Sequence, residues 1–251
     1  MIQEQFLKNK IIVNSLDELQ PDYECGTLVL ASSQAVIDEC NDRGIPVVGV
    51  ESGNGKHLNC SQIIIDAEQV EDEDYERMYR RCVGEPWHIA YTNRCIIREY
   101  KESDLDALFE LYAQPHMTDY MEPLFDYEEE LQYERNYIEY IYKLYGFGMW
   151  LIFDKSTGKL IGRAGIEVRE SCDRDNQAEL GFAISYFRWH EGLAFEVCSK
   201  IIEIAKTEYD LTSLIARCDS KNLASVGLLT KLGFSHVGFE SDGDMRFFRE
   251  I

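Results

Sequence analysis

The chain has 251 residues, 45% of them hydrophobic and 28% charged, and 25 basic against 46 acidic side chains give a net charge of −21. That apolar share excludes global disorder, and no apolar run approaches the ~20 residues of a membrane span. The acidic balance disfavours nucleic-acid and anionic-membrane binders and weakly favours cationic partners such as amines.

The length fits one large or two modest domains. The opening MIQEQFLKNK has no basic segment followed by an apolar one, so no secretory signal is expected. Thr27–Ala31 is a short apolar run, read as a buried strand. Ser32 or Ser33 then caps a helix from Gln34 that ends near Gly44. Ile45–Val50 reads as a second strand and, past the Gly53-Asn54-Gly55 loop, Gln62–Asp66 as a third. Alternation of strand and helix predicts a parallel sheet. The acidic run Glu71–Asp74 suits the N-terminus of a further helix and reads as dipole complementation, not as a metal site.

Gly84-Glu85-Pro86-Trp87 marks a junction, which divides the chain into residues 1–90 and 91–251. Beyond it the predicted order is α+β. Cys95–Tyr100 is a strand, and Ser103 caps a helix with Leu105, Leu108, Leu111 and Tyr112 on one face. Tyr127–Leu144 is a long aromatic-rich helix. Met149–Asp154 and Lys159–Ile166 form a hairpin across Ser156-Thr157-Gly158. Then follow a strand at Ala178–Ser185, a helix at Leu193–Lys206, a strand at Leu214–Arg217, a helix at Leu223–Leu232 stopped by Gly233, and two strands around Asp242-Gly243-Asp244.

Eight cysteines (Cys25, Cys40, Cys60, Cys82, Cys95, Cys172, Cys198 and Cys218) show no C-x-x-C spacing, and the five histidines show no H-x-x-x-H pair. The thiols read as reduced, core-type residues of a cytoplasmic protein, and no metal site is expected.

The informative segment is Glu179–Ala194, a strand that runs through a loop directly into a helix. Helix N-termini offer unsatisfied N–H groups and partial positive charge, which together cradle a phosphate or pyrophosphate. Gly192, without a Cβ, lets the backbone approach such a ligand. The second piece is Asn222-Leu-Ala-Ser225 followed by Lys231-Leu-Gly-Phe234, in which the three-residue spacing puts Asn222 and Ser225 on one helical face.

In their order and spacing these pieces resemble the GCN5-related N-acetyltransferase (GNAT) family, specifically its ribosomal-protein N-terminal acetyltransferase-like branch, over about residues 93–240. Trp189, Gly192 and Ala194 match the branch's loop, whereas His190 stands where a Gly is usual and Glu191 where a basic or amide residue is common. The front segment ASSQAVIDECNDRGIPVVGV resembles part of the Rossmann-like core of haloacid-dehalogenase-type hydrolases. Ile11–Ser15 carries none of that family's D-x-D nucleophile pair, so the domain is read as catalytically silent.

The resemblances imply an α/β chain: a mixed, splayed central sheet flanked by helices, preceded by a small parallel Rossmann-like domain. They imply acetyl-CoA as donor, with its pyrophosphate on the N–H groups of His190, Glu191, Gly192, Leu193 and Ala194 and with Trp189 beside them in the coenzyme-binding loop. The pantetheine arm would pair as an extra strand with Phe182, Ala183 and Ile184. The anionic coenzyme meets a chain of charge −21, but that repulsion is screened beyond ~8 Å while the cradle acts inside it.

Acetyl transfer needs an amine deprotonated, an oxyanion stabilised and a thiolate protonated. In this family the attack is direct, so no cysteine nucleophile is needed, and Cys198 reads as core. Glu179 is the candidate base, directly or through water, with Glu167 as second candidate and His190 as a possible relay. The tyrosine that often meets the thiolate is replaced by Leu229, so Ser225 takes that place, and Asn222 holds the pantetheine arm or ties its helix to the splayed strand. The acceptor region is built from Met117–Pro123 and the tyrosines of the long helix (Tyr133, Tyr137, Tyr140, Tyr142 and Tyr145). A protein N-terminus, a lysine, or a small polyamine or aminoglycoside-like amine remain open as acceptor, as does self-association. A non-catalytic acyl-CoA sensor is the alternative to an enzyme, and a hydrolase of the front domain is the third reading.

Overall fold

A computed structural model describes residues 6–51 and 57–251. The Gly53-Asn54-Gly55 loop and the first five residues lie outside them. The chain divides into two compact units, Met1–Trp87 and His88–Ile251.

The front unit holds β1 (Asn9–Val13), β2 (Thr27–Ala31), α1 (Gln34–Asp42), β3 (Val47–Val50), β4 (Ile63–Ile64) and α2 (Asp72–Cys82). Its four strands lie in sequence order and all pair in parallel. All five residues of β2 are buried, as a strand covered on both faces requires. Ser33 occupies the N-cap of α1 but makes no side-chain cap bond, and Ser32 Oγ instead donates to Asn14 Oδ1 at 2.9 Å. Glu71 occupies the N-cap position of α2 without a side-chain cap bond, and the first turn carries Asp72, Glu73 and Asp74, where the helix dipole favours them. Glu76 accepts from the N–H groups of Phe6 (2.9 Å) and Leu7 (2.7 Å) and pairs with Arg80 (2.8 Å). Burial would raise its carboxyl pKa, but these bonds together hold it below the usual value.

The second unit holds β5 (His88–Tyr91), β6 (Cys95–Arg98), α3 (Leu105–Tyr112), α4 (Tyr127–Asn136), a π-helical segment (Tyr137–Tyr142), α5 (Lys143–Tyr145), β7 (Met149–Asp154), β8 (Leu160–Glu167), β9 (Gln177–Ile184), α6 (Leu193–Thr207), β10 (Ser213–Cys218), α7 (Leu223–Lys231), β11 (Ser235–Phe239) and β12 (Met245–Glu250). The sheet order is β11-β12-β10-β9-β8-β7-β6-β5. The β9–β10 pair is parallel, and the other pairs are antiparallel. Helix α6 buries Leu193, Val197, Cys198, Ile201, Ile202, Ile204 and Ala205. Each of its large aliphatic side chains contributes about 1.5–3 kcal/mol of burial.

Three expectations change here. Strand β5 was not read from the sequence. Ser103 does not cap α3; it lies in a 3-10 turn, Glu102–Asp104, whose Asp104 carboxylate accepts from the Lys101 N–H at 2.9 Å. The long aromatic helix is α-helical only to Asn136 before its bonding widens into the π segment, and Gly146, at φ 74°, ends it.

Candidate active site

Strands β9 and β10 pair only at Gln177–Ser213, Ala178–Leu214 and Glu179–Ile215, and beyond Glu179 they separate. One edge of Leu180–Ile184 is therefore open. Alternation along the β8–β9 ladder shows which groups face it. The Ser185 N–H donates to Ile161 O at 2.8 Å, so the bonded pairs run back through Ala183–Arg163, Gly181–Gly165 and Glu179–Glu167. The backbone groups of Leu180, Phe182 and Ile184 then point into the opening. Ala183, expected to pair with a ligand, turns its groups toward β8 instead. Ile184 is already half used, because its carbonyl accepts from the Trp189 indole N–H at 2.7 Å.

The open edge leads into a turn with two left-handed residues. His190 has φ 64° and Gly192 has φ 77°. Gly192 caps α6, whose first N–H groups have no partner within the helix. A Cβ on Gly192 would find its nearest neighbour, Arg94 Nη2, at 3.9 Å. The glycine is thus required by backbone conformation, not by crowding within the protein. His190 takes a glycine-like conformation in the place of a glycine.

The three acids around this turn are all paired, and share two arginines. Arg188 Nε donates to Glu191 Oε2 at 2.9 Å, and Arg188 Nη1 to Asp154 Oδ2 at 2.7 Å. Arg94 pairs with Glu196 in the first turn of α6 at 2.7 Å and donates to Glu191 O at 2.9 Å. Burial pushes the Glu196 carboxyl up, but bonds from Thr92 and Arg94 outweigh it and leave the pKa lowered. Asp154 is held well below the usual carboxylate range by Ser156 and then Arg188. The loop is therefore close to neutral within a chain of charge −21.

On the odd-numbered face of β8 and β9, Glu167 and Glu179 stand opposite one another at the last rung before the strands part. Glu179 accepts from Ser171 Oγ at 2.7 Å and pairs loosely with Arg217 at 3.3 Å. Glu167 accepts from Tyr137 Oη at 2.6 Å and pairs with Arg169. Burial, and then the Glu167 charge, raises the Tyr137 pKa far above that of a free phenol.

Across the opening, Asn222 is the N-cap of α7, not a member of the helix face, and its Oδ1 accepts from the Ser225 N–H at 3.1 Å. Among the described residues the Ser225 hydroxyl has no hydrogen-bond partner, whereas Leu229 is fully buried. Tyr120 Oη donates to Lys221 O at 3.4 Å, which brings the Met117–Pro123 segment to the turn before α7. Cys198 is buried in the core.

A strand that parts from its neighbour and runs through a left-handed turn into the N-terminus of a helix is the geometry the sequence resemblance implies. The acetyltransferase (GNAT) domain model matches residues 94–235. The chain belongs to the GNAT acetyltransferase family. An uncharacterized N-acetyltransferase, p20, of Bacillus licheniformis is 29% identical over 158 residues, which is 61% of this chain and 85% of that protein. The uncharacterized N-acetyltransferase YoaA of Bacillus subtilis is 28% identical over 152 residues, covering 60% and 84%. The solved structure of RimL, a ribosomal L7/L12 alpha-N-protein acetyltransferase in complex with coenzyme A, superposes with a TM-score of 0.57 at 17% identity, over 66% of this chain and 98% of that one, a likeness of fold.

As a GNAT enzyme the chain moves an acetyl group from acetyl-CoA to an amine. The open β9 edge leaves main-chain groups unpaired, and the Gly192 turn leads into the free N–H groups at the start of α6, the two kinds of group that an extended, anionic ligand could use. The arginines were not singled out from the sequence. The Arg188–Glu191 spacing and the Asp154–Ser156–Thr157 turn pattern could have suggested that half of the network, but nothing local links Arg94 to Glu196, 102 residues away.

Proposed function

We propose that this GNAT enzyme acetylates a primary amine by direct attack, in the cytoplasm, in the manner of the ribosomal-protein N-terminal acetyltransferase-like branch. The observation that carries this reading is the parting of β9 from β10 after Glu179, with an open edge that leads to the left-handed Gly192 turn. The N–H groups of 190–194 hold the pyrophosphate, and those of Phe182 and Ile184 hold the pantetheine arm and the developing oxyanion. Glu179, at the throat of the opening, takes the ammonium proton directly or through one water. The neutral amine nitrogen then bonds to the thioester carbonyl carbon, the carbon–sulfur bond breaks, and the proton the nitrogen sheds on becoming an amide passes to the departing thiolate through Ser225 Oγ, which takes it up as it gives its own to the sulfur.

Each glutamate accepts from one hydroxyl, Glu167 from Tyr137 and Glu179 from Ser171, and Glu179 is preferred as base because its arginine, Arg217, stands off at 3.3 Å whereas Arg169 closely pairs Glu167. The front unit is proposed to be non-catalytic. The carboxyl end of its β1 carries Asn14, an amide bonded to Ser32, where a nucleophilic carboxylate would be needed.

An acetyl-CoA consumption screen over an amine panel tests the whole reading. Turnover with at least one amine is expected, and Glu179→Gln and Ser225→Ala should each slow it by about 10²-fold or more while coenzyme affinity stays within about twofold. Coenzyme binding without turnover on any amine would favour a sensor, and unchanged rates in both variants would remove these roles.

A further inference from the structure

Beside Glu167 lies a cavity of about 370 Å³ walled by Tyr133, Tyr137, Tyr140, Tyr145 and Phe147. We infer that this cavity is the acceptor subsite and selects a monoamine with a flat, apolar body over a polyamine. The inference rests on the acetyltransferase reading above and adds the substrate class to it.

Position comes first. Glu167 lines the cavity and stands opposite Glu179, the proposed base, on the neighbouring strand. Residues opposite in a bonded antiparallel pair have Cβ atoms about 5.5 Å apart on one face. A ligand whose body fills the cavity therefore presents its amine to the throat where β9 and β10 part.

The second argument is the wall. The π-helical segment Tyr137–Tyr142 supplies Tyr137, Tyr140 and Ile141 to the lining, and such segments recur at functional sites. Tyr133 and Tyr137 are 6.1 Å apart, and Tyr145 and Phe147 5.8 Å, between ring centroids. Tyr140 is 64% exposed and Tyr133 42%, so aromatic surface is left for a ligand to cover. Tyr142, expected at the acceptor site, is corrected out of it. Its side chain is buried, and its hydroxyl donates to Met149 O at 2.5 Å.

Charge decides the class. Of the described residues that line the cavity, Glu167 is the one carboxylate, and it is already paired with Arg169, which lines the same cavity. A polyamine would bring a second ammonium next to Arg169 with no unpaired acid to receive it. The general attraction of a −21 chain favours the more highly charged amine, but it is screened beyond ~8 Å, so inside the cavity the local lining decides.

Calorimetric titration of the full chain with 2-phenylethylamine and with spermidine, without coenzyme, tests this directly. Saturable 2-phenylethylamine binding at least tenfold tighter than spermidine is expected. Tyr140→Ala and Tyr133→Ala, both at exposed positions, should each weaken it about tenfold and leave acetyl-CoA affinity unchanged. Spermidine binding as tight or tighter, absent 2-phenylethylamine binding, or unaltered affinity in both variants would overturn the assignment. Absence of acetyl-CoA binding would instead remove the coenzyme reading, and the amine titrations still decide the cavity.

Discussion

Arg188 and Asp154 meet at 2.7 Å and fasten the cradle loop to the end of β7, while the same guanidinium neutralises Glu191. Removal of Arg188 would free the loop and leave the Glu191 charge facing an anionic coenzyme. Both arginine contacts are partly exposed and screened, so their full bond strength is not recovered. Arg188→Ala should weaken acetyl-CoA binding about tenfold, or ~1.4 kcal/mol. Adding Glu191→Gln to that variant should restore part of the loss, as titration calorimetry would show. No restoration would mean that loop anchoring, not charge, is what Arg188 supplies.

His190 and Gly192 share the left-handed region, so one substitution at each should act with opposite sign. A non-glycine residue there costs about 1–2 kcal/mol, against which glycine loses up to ~1 kcal/mol of unfolded-state entropy. His190→Gly should raise stability by about 0.5–1 kcal/mol without loss of coenzyme affinity. Gly192→Ala should lower stability by about 1 kcal/mol and weaken the coenzyme by turning the cradle amides, since its Cβ meets nothing closer than 3.9 Å. Chemical denaturation and coenzyme titration of both variants check the pair of signs.

Much of this was legible because the chemistry is local. The run from Glu179 to Ala194 lies on one continuous strand, loop and helix, so spacing alone placed Gly192 at the start of α6. The π segment was not legible, because tyrosines at 133, 137, 140 and 145 suit a 3.6-residue period as well as a wider one. Strand β5 is short and half-polar and is defined by its antiparallel partner β6, not by its own pattern. The capping role of Asn222 was missed because an N-cap and its third residue have the same spacing as two members of a helix face. The Arg94–Glu196 pair exists only through the fold.

The buried Arg98–Asp104 pair joins β6 to the start of α3 with bonds of 2.6 and 2.7 Å. Asp104 also receives the Lys101 N–H, so its loss uncaps the turn as well. Arg98→Ala leaves a carboxylate buried without its counter-charge, a change that typically costs about 3–5 kcal/mol. Denaturant unfolding should show a loss of that size. A change below about 1 kcal/mol would mean that the carboxylate finds water instead.

Stability should also fall with rising pH near neutrality because of Glu134. Burial, only partly offset by Arg163 at 4.0 Å, raises its carboxyl from 4.5 to about 7. The folded chain thus holds a proton that the unfolded chain releases at lower pH. The stabilisation is complete below about pH 4.5 and is lost as pH rises through about 7, with a slope of at most ~1.4 kcal/mol per pH unit for one proton. Glu134→Gln should flatten this dependence between pH 5 and 8. Its absolute stability also reflects the counter-charge taken from Arg163, so the slope and not the level is the decisive measurement. An unchanged slope in urea titrations across that range would assign the proton to another group.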